Sequence, residues 1–252
     1  MSKQSRTRTQ ELRKTQQEAA RKEAKRRRLL TALGGLVIVG LVVAIIVAVV
    51  QATSGDDGSS TASGEVVQPE NVSEWSIPVG DEAAPVTVAI YYDYMCPACG
   101  AFEQANGDEL DRLVEEGTAK IELRPISFLD SQSQGTEYST RAGNAIATVA
   151  DGAPEQVWAF HRALYAAQPE EGSEGLSDDE IAEVATGAGV PSAVADRFTD
   201  ETFAGWIAAA TKASATAGVE GTPTILVDDK VFEGDVYTPG ALTEAIESVA
   251  GK

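Results

Sequence analysis

The 252-residue chain has 39 Asp and Glu against 20 Lys and Arg, a net charge of −19. Residues 1–28 hold eleven Lys and Arg against three Glu, a net charge of +8, so the rest of the chain carries −27. This acidity argues against nucleic acid and anionic lipid as partners of the larger part.

The first segment after the basic tail is apolar. Residues 29–50 include no charged side chain, and a helix of that length spans roughly 33 Å, enough for a bilayer core of about 30 Å. Because the KRRR run precedes it, the positive-inside rule predicts a cytoplasmic tail (1–28) and a single transmembrane anchor (29–51), with the remainder outside the cell membrane. A cleaved signal peptide is the alternative, although its apolar core is usually only about 7–15 residues long. In both cases the acidic part is exported.

A Gly- and Ser-rich linker follows at 52–70, and one domain is expected at 71–252. The β-branched run VTVAIYY (86–92) predicts a buried strand, and a helix should follow it and end at Gly117. The next strand is predicted at 120–126. Strand, helix and strand so close together indicate a βαβ unit with a parallel pair.

An all-helical insertion is predicted at about 132–217, where Ala, Glu and Leu recur at helical spacing. Ser177 precedes three acidic residues and is a good N-cap. Two short strands turning at Asp228-Asp229 and a closing helix at 239–250 complete the chain. The helices expected within the insertion are 138–151, 154–167, 178–188, 192–199 and 201–216.

Both cysteines of the chain lie in the motif CPAC, as Cys96 and Cys99. A closed zinc site usually takes four Cys or His ligands, and His161 is the single histidine, so zinc is disfavoured. A disulfide that closes so short a loop would stabilise the fold very little. A switch between dithiol and disulfide is the interpretation that remains.

The position of the motif supports this redox interpretation. At the junction of strand and helix, Cys96 would be the N-cap and Pro97 the first helical residue, where a missing N–H costs nothing. A Cys96 thiolate would then face free N–H groups and the positive end of the helix dipole, which lower a cysteine pKa from its usual value of about 8.5. Cys99 should be more buried and keep a higher pKa.

Four segments share a family pattern, in the order IPVGDEAAPVTVAIYYDYMCPACGAFE, VWAFHRALYAAQPEE, LSDDEIAEVATGAGV and GVEGTPTILVDD. Together they resemble the DsbA-like branch of the thioredoxin superfamily, thiol:disulfide oxidoreductases that act on exported proteins. The resemblance covers roughly residues 74–250. It implies an α/β thioredoxin fold with an inserted all-helical domain, here preceded by one transmembrane helix.

The resemblance also implies the roles of the site residues. Cys96 would be the catalytic nucleophile or acceptor, Cys99 the resolving catalytic cysteine, and Thr222-Pro223 a cis-peptide loop that binds an extended substrate chain; without CPAC, that dipeptide would be read as a simple turn. No cofactor and no metal are implied. The expected partners are reduced exported proteins and a membrane reoxidant of the DsbB or vitamin-K-epoxide-reductase-like type, and monomer is the default state.

Departures from the family pattern leave the direction of electron flow open. Strongly oxidising relatives have histidine where this chain has Ala98, and relatives often have a buried acid where it has Ile90. Asp93 is the nearest carboxylate, and it either takes part in proton transfer or faces solvent. Tyr94 is a candidate for the substrate surface. His161 is expected to be structural rather than catalytic. The favoured function is an oxidase that forms disulfides in exported proteins. The alternatives are a reductase or isomerase and, in a different class, an inert binding module.

Overall fold

A mixed five-stranded sheet forms the centre of the fold. The structure, a computed structural model, describes residues 66–251. The sheet order is β1-β3-β2-β4-β5. Strands β2 and β3 are parallel, which confirms the predicted βαβ unit, and the other neighbouring pairs are antiparallel. The strands are β1 (Ile77–Val79), β2 (Val86–Tyr92), β3 (Ala119–Pro125), β4 (Thr224–Val227) and β5 (Lys230–Val231).

Strand β2 lies in the centre of the sheet because most of its side chains are apolar and are stabilised by burial. Val88 pairs with Ile121 of β3 on one side and with Val227 of β4 on the other, and all three are buried. A strand that is covered on both faces reads as a continuous apolar run. The three-residue strand β1 was not predicted separately, since it is too short to show a period.

Helix α1 (Pro97–Glu115) connects the parallel strands. Its end is set by Gly117, whose φ of +64° is a left-handed conformation that glycine adopts without steric cost. The Gly117 N–H donates to the Val114 carbonyl, and the Thr118 N–H donates to the Leu113 carbonyl. These bonds satisfy the last carbonyls of the helix, and the predicted end at Gly117 is confirmed.

Helices fill the chain between β3 and β4, and one more closes it. The predicted N-cap is confirmed, because the Ser177 hydroxyl accepts from the Glu180 N–H in a capping box. The helix expected at 192–199 is shorter, since it stops at Ala195 and a 3-10 turn follows at Phe198–Asp200. The helices are α2 (Tyr138–Gly152), α3 (Val157–Ala166), α4 (Asp178–Gly187), α5 (Ser192–Ala195), α6 (Ala204–Thr216) and α7 (Ala241–Ala250).

The predicted tail (1–28), anchor (29–51) and most of the linker (52–70) lie outside the described residues. Within 66–251, no helix is both long and apolar enough to cross a membrane.

Candidate active site

The two cysteines lie at the junction between the end of β2 and the start of α1. After Tyr92 the chain turns inward, and the Cys96 N–H donates to the Asp93 carbonyl at 3.0 Å. Cys96 is the N-cap with extended backbone (φ −75°, ψ 115°), and Pro97 is the first helical residue. The predicted placement of the motif at a helix N-terminus is confirmed, and the Cys96 side chain lies beside the N–H groups of Ala98 and Cys99 in the first turn.

The two thiols, which are both free, differ in exposure. Cys96 is 7% exposed and Cys99 is 1% exposed. The Cys96 sulfur lies 3.4 Å from the Thr222 carbonyl oxygen, to which its S–H donates. A reagent from solvent therefore reaches Cys96 first, and Cys99 is reached only through its partner.

Electrostatics separates the thiols further. A hydrogen bond from the Cys99 thiol is the largest cause that lowers the pKa of Cys96, to about 6. A hydrogen bond with the Thr222 side chain and the N–H groups of Cys99 and Ala98 lower it further, and burial opposes them. Burial, and then the Cys96 sulfur, raise the pKa of Cys99 far above its usual range. The predicted asymmetry is present, but the neighbouring thiol contributes more to it than the helix N–H groups on which the sequence argument depended.

The segment opposite Cys96 is the loop before β4. The Thr222-Pro223 peptide bond is cis, as the resemblance implies. Between this loop and the start of α1 opens a cavity of about 470 Å³, which Phe128 and Leu129 line on one side and Glu220 on another. This recess, which Cys96 also lines, is large enough for a peptide side chain.

Asp93 does not face solvent, so the solvent-facing alternative that the sequence left open is wrong. Its side chain is fully buried and accepts from the N–H groups of Met95 and Leu129, each at 2.9 Å, and from the Ser139 hydroxyl at 2.6 Å. Burial raises the pKa of Asp93 to about 6, although these hydrogen bonds lower it. The carboxylate therefore connects the turn before Cys96 to two distant residues, Leu129 and Ser139.

His161 is buried beneath this turn. Its Nδ1 lies 3.1 Å from the Tyr94 hydroxyl, and its ring stacks on Trp158 with centroids 5.4 Å apart. Burial, assisted by the positive charge of Arg162, lowers the pKa of His161 to about 3, so the ring is neutral at pH 7. The expected structural role fits this setting. The expectation that Tyr94 reaches the substrate surface is wrong, because only 2% of it is exposed.

Three residues of the inserted helices contact the turn and were missed by the sequence argument. Ser139 binds the Asp93 carboxylate, the Tyr165 hydroxyl donates to the Asp93 carbonyl, and the Gln168 amide donates to the carbonyls of Tyr94 and Cys96. One sequence signal could have indicated the Gln168 contact. Glycine at position 100, directly after the motif, has no side chain and leaves space beside α1 for the Gln168 amide.

A thioredoxin-type sheet, two free thiols at a helix N-terminus and a cis-proline loop beside them define the class of proteins that exchange thiols and disulfides. A family model described as thioredoxin matches residues 73–248 of the chain. The chain therefore belongs to the thioredoxin family.

Two curated relatives of this chain are a protein kinase and a disulfide bond formation protein. The serine/threonine-protein kinase PknE of Mycobacterium tuberculosis is 33% identical over 121 residues, which are 46% of this chain and 21% of the kinase. The chain thus spans about a fifth of the length of that relative. Disulfide bond formation protein D of Bacillus subtilis is 29% identical over 157 residues, 62% of this chain and 68% of that protein.

Solved structures of similar proteins are thiol–disulfide oxidoreductases. The reduced disulfide bond oxidoreductase DsbG of M. tuberculosis superposes with a TM-score of 0.62 at 28% identity, covering 70% of this chain and 88% of that one. Reduced DsbA of M. tuberculosis gives the same score and identity, with 71% and 93% covered. The described site is consistent with protein disulfide oxidoreductase activity.

Proposed function

We propose that the protein is a membrane-anchored thiol:disulfide oxidoreductase that forms disulfides in exported proteins through Cys96 and Cys99. The observation that carries this proposal is the split between the two thiols, with the pKa of Cys96 lowered to about 6 and that of Cys99 raised by burial. A binding module without turnover has no use for this split, because it needs neither thiol.

The reaction starts from the Cys96–Cys99 disulfide. A substrate thiolate attacks the Cys96 sulfur, which forms a substrate–Cys96 bond and releases Cys99, which takes up a proton. A second substrate thiolate then attacks the substrate sulfur, the new substrate disulfide forms, and Cys96 leaves as a thiolate. A thiol of low pKa is the better leaving group, so the lowered pKa of Cys96 accelerates this release step. Two electrons pass from substrate to enzyme.

Substrate binding is proposed at the Thr222-Pro223 loop. The Thr222 carbonyl lies beside the Cys96 sulfur, and an extended substrate chain would pair with the exposed backbone of the loop in β-fashion. The adjacent recess would take a neighbouring substrate side chain. These positions are an assignment from geometry and resemblance together.

The lowered pKa favours the oxidising direction by a calculable amount. A shift from 9.0 to about 6 stabilises the reduced form at pH 7 by at most about 1.4 kcal/mol, and solvent screening reduces this further. For a two-electron couple, that corresponds to about 30 mV. The reduction potentials of thioredoxin, about −270 mV, and DsbA, about −120 mV, differ by about five times that amount. The reduction potential is therefore the quantity to measure.

Equilibration of residues 66–252 with glutathione buffers tests the direction. A potential near −120 mV supports the oxidase, whereas one near −270 mV supports a reductase or isomerase that uses the same cysteines.

A trapping experiment tests turnover itself. The full-length Cys99→Ser variant should accumulate mixed disulfides through Cys96 in cells. In vitro it should do so with ribonuclease A that contains scrambled disulfides, because the Cys96 thiolate attacks a substrate disulfide and releases one substrate thiolate. The control is Cys96→Ser, which should trap nothing. If Cys99→Ser also traps nothing while Cys96 reacts fully with iodoacetamide, the binding-module alternative replaces the enzyme.

We further propose that residues 1–28 are a cytoplasmic tail, 29–51 the anchor, 52–70 a linker, and 71–252 the extracytoplasmic domain with its helical insertion at about 132–217. The charge pattern of the sequence supports this arrangement. A membrane protein of the DsbB or vitamin-K-epoxide-reductase-like type would reoxidise the enzyme in the same membrane. Protease added outside intact cells should degrade the acidic domain, and its full protection would contradict the assigned topology.

A further inference from the structure

Gln168 connects the helical insertion to the backbone on both sides of the reactive cysteine. Its side-chain Nε2 donates to the Tyr94 carbonyl at 3.0 Å and to the Cys96 carbonyl at 2.8 Å. The residue lies just beyond the end of α3, where its backbone N–H donates to the Tyr165 carbonyl at 3.2 Å. The amide is thus held at the end of a helix and directed at the N-cap of α1.

Gly100 leaves the space that this amide occupies. A Cβ added at Gly100 would collide with Oε1 of Gln168 and lie 3.1 Å from its Cδ, with no atom of another residue as near. Gly100 lies inside α1 and its φ is not positive, so its conformation does not require glycine. Glycine within a helix is less stable than alanine. Space for the Gln168 amide is therefore the structural reason for glycine at position 100.

The bond to the Cys96 carbonyl acts on the direction of the Cys96 side chain. That carbonyl also accepts from the N–H groups of Cys99, at 3.0 Å, and Gly100, at 3.2 Å. Three donors therefore fix the peptide plane that follows Cys96. With this plane fixed, the sulfur keeps its place over the first turn of α1, where the N–H groups of Ala98 and Cys99 stabilise the thiolate.

We propose that Gln168 is a positioning residue for the Cys96 thiolate, and that Gly100 is small in order to admit its amide. Gln168 acts through the backbone carbonyls of Tyr94 and Cys96. The proposal rests on the proposed function for its biological purpose, since a poised thiolate matters only to a protein that exchanges disulfides. Its physical content concerns the reduced protein alone.

The first test removes the two donors and keeps the shape. In the reduced full-length protein, Gln168→Met should raise the pKa of Cys96 by about half a unit to one unit, as expected if the displaced sulfur loses about one net hydrogen bond from the first-turn N–H groups. The pKa is measured from the ultraviolet absorbance of the thiolate against pH. The matched control is Gln104→Met, because Gln104 is exposed on α1 and lines the same surface recess as Gln168; it should leave the pKa unchanged.

The second test is a double-mutant cycle with Gly100→Ala. Alone, Gly100→Ala should displace the amide and raise the pKa of Cys96 as Gln168→Met does. Combined with Gln168→Ala, it should raise the pKa no further than Gln168→Ala alone, and it should increase the melting temperature, because alanine favours the helix once the collision is gone.

Two results would overturn the inference. One is an unchanged Cys96 pKa in Gln168→Met together with a lowered melting temperature, which is the behaviour of a residue that only packs the helices. The other is additive pKa effects of Gly100→Ala and Gln168→Ala. Because these measurements need no substrate, loss of the proposed oxidase function with the pKa effects intact would refute the function and leave this inference standing.

Discussion

Replacement of Cys99 tests which group holds the pKa of Cys96 low. The Cys99 thiol is the largest cause of the lowered pKa, ahead of the N–H groups of the first helical turn. A hydrogen bond to a charged group contributes about 1.5–3 kcal/mol, and a thiol is a weak donor, so the lower end applies. At 1.36 kcal/mol per pKa unit, Cys99→Ala should raise the pKa of Cys96 from about 6 to about 7. The thiolate fraction at pH 7 would fall from about nine-tenths to about a half.

The matched variant is Cys99→Ser, whose hydroxyl remains a donor at the same position. Its Cys96 pKa should stay below that of Cys99→Ala and close to about 6. Thiolate absorbance and the pH dependence of alkylation by iodoacetamide measure both variants in the reduced state. Equal pKa values in Cys99→Ala, Cys99→Ser and the unmodified protein would refute the reasoning and assign the effect to the helix N-terminus. The expected difference is also the reason to trap substrates with the serine variant.

Three further predictions concern stability. Asp93 has a folded pKa of about 6, above its ordinary value of about 3.9, so its contribution is present at low pH and lost as pH rises. Relative to Asp93→Asn, the unmodified protein should lose about 2 kcal/mol of unfolding free energy between about pH 4 and about pH 7 in urea titrations. His161 has the opposite sign, with a folded pKa of about 3 below its ordinary value of about 6.5. Relative to His161→Gln, the unmodified protein should lose about 2.5 kcal/mol of unfolding free energy on going from pH 7 down to about pH 4.5. Ser177→Ala removes the cap of α4 and should cost about 1 kcal/mol, a fall of about 2–4 °C in melting temperature, whereas Glu180→Gln keeps a good capping-box residue and should cost less.

Each of these predictions has a contrary outcome. A stability difference between the unmodified protein and Asp93→Asn that does not change with pH would mean that Asp93 titrates alike in the folded and unfolded chains. The same result for His161→Gln would mean that the buried ring takes up a proton as readily as an exposed one. Equal losses of stability for Ser177→Ala and Glu180→Gln would show that the charge of Glu180 contributes as much to the cap as the serine hydroxyl does.

The parts of the fold that the sequence predicts are those set by neighbouring residues. The buried run of β2, the proline after Cys96 and the glycine at position 117 each fix local backbone, so the βαβ unit and the helix-terminal motif could be predicted. Strand β1 could not, because three residues carry no periodic signal, whereas the pair of β4 and β5 was predicted from the turn at Asp228-Asp229 and is confirmed. The predicted helices end where capping and tertiary contacts stop them, which explains the short α5.

The environment of the site could not be predicted for a different reason, since its partners are distant in the chain. Asp93 is buried because Leu129 and Ser139, 36 and 46 residues later, donate to its carboxylate. Gln168 reaches the Cys96 carbonyl across 72 residues. No helical or strand period encodes which donor will meet which carbonyl. Burial and hydrogen-bond partners of polar residues therefore had to come from the structure.

These distant contacts determine what the helical insertion contributes. The turn from Asp93 to Cys96 is buried, and a buried polar group left without a partner costs about 1–3 kcal/mol. The insertion supplies partners through Ser139 and Tyr165 to Asp93, and through Gln168 to the carbonyls of Tyr94 and Cys96. A sheet with α1 alone would expose these groups to water and free the plane that directs the Cys96 sulfur. The insertion is therefore a structural component of the proposed redox site, and substitutions in it should change the pKa of Cys96 without altering either thiol.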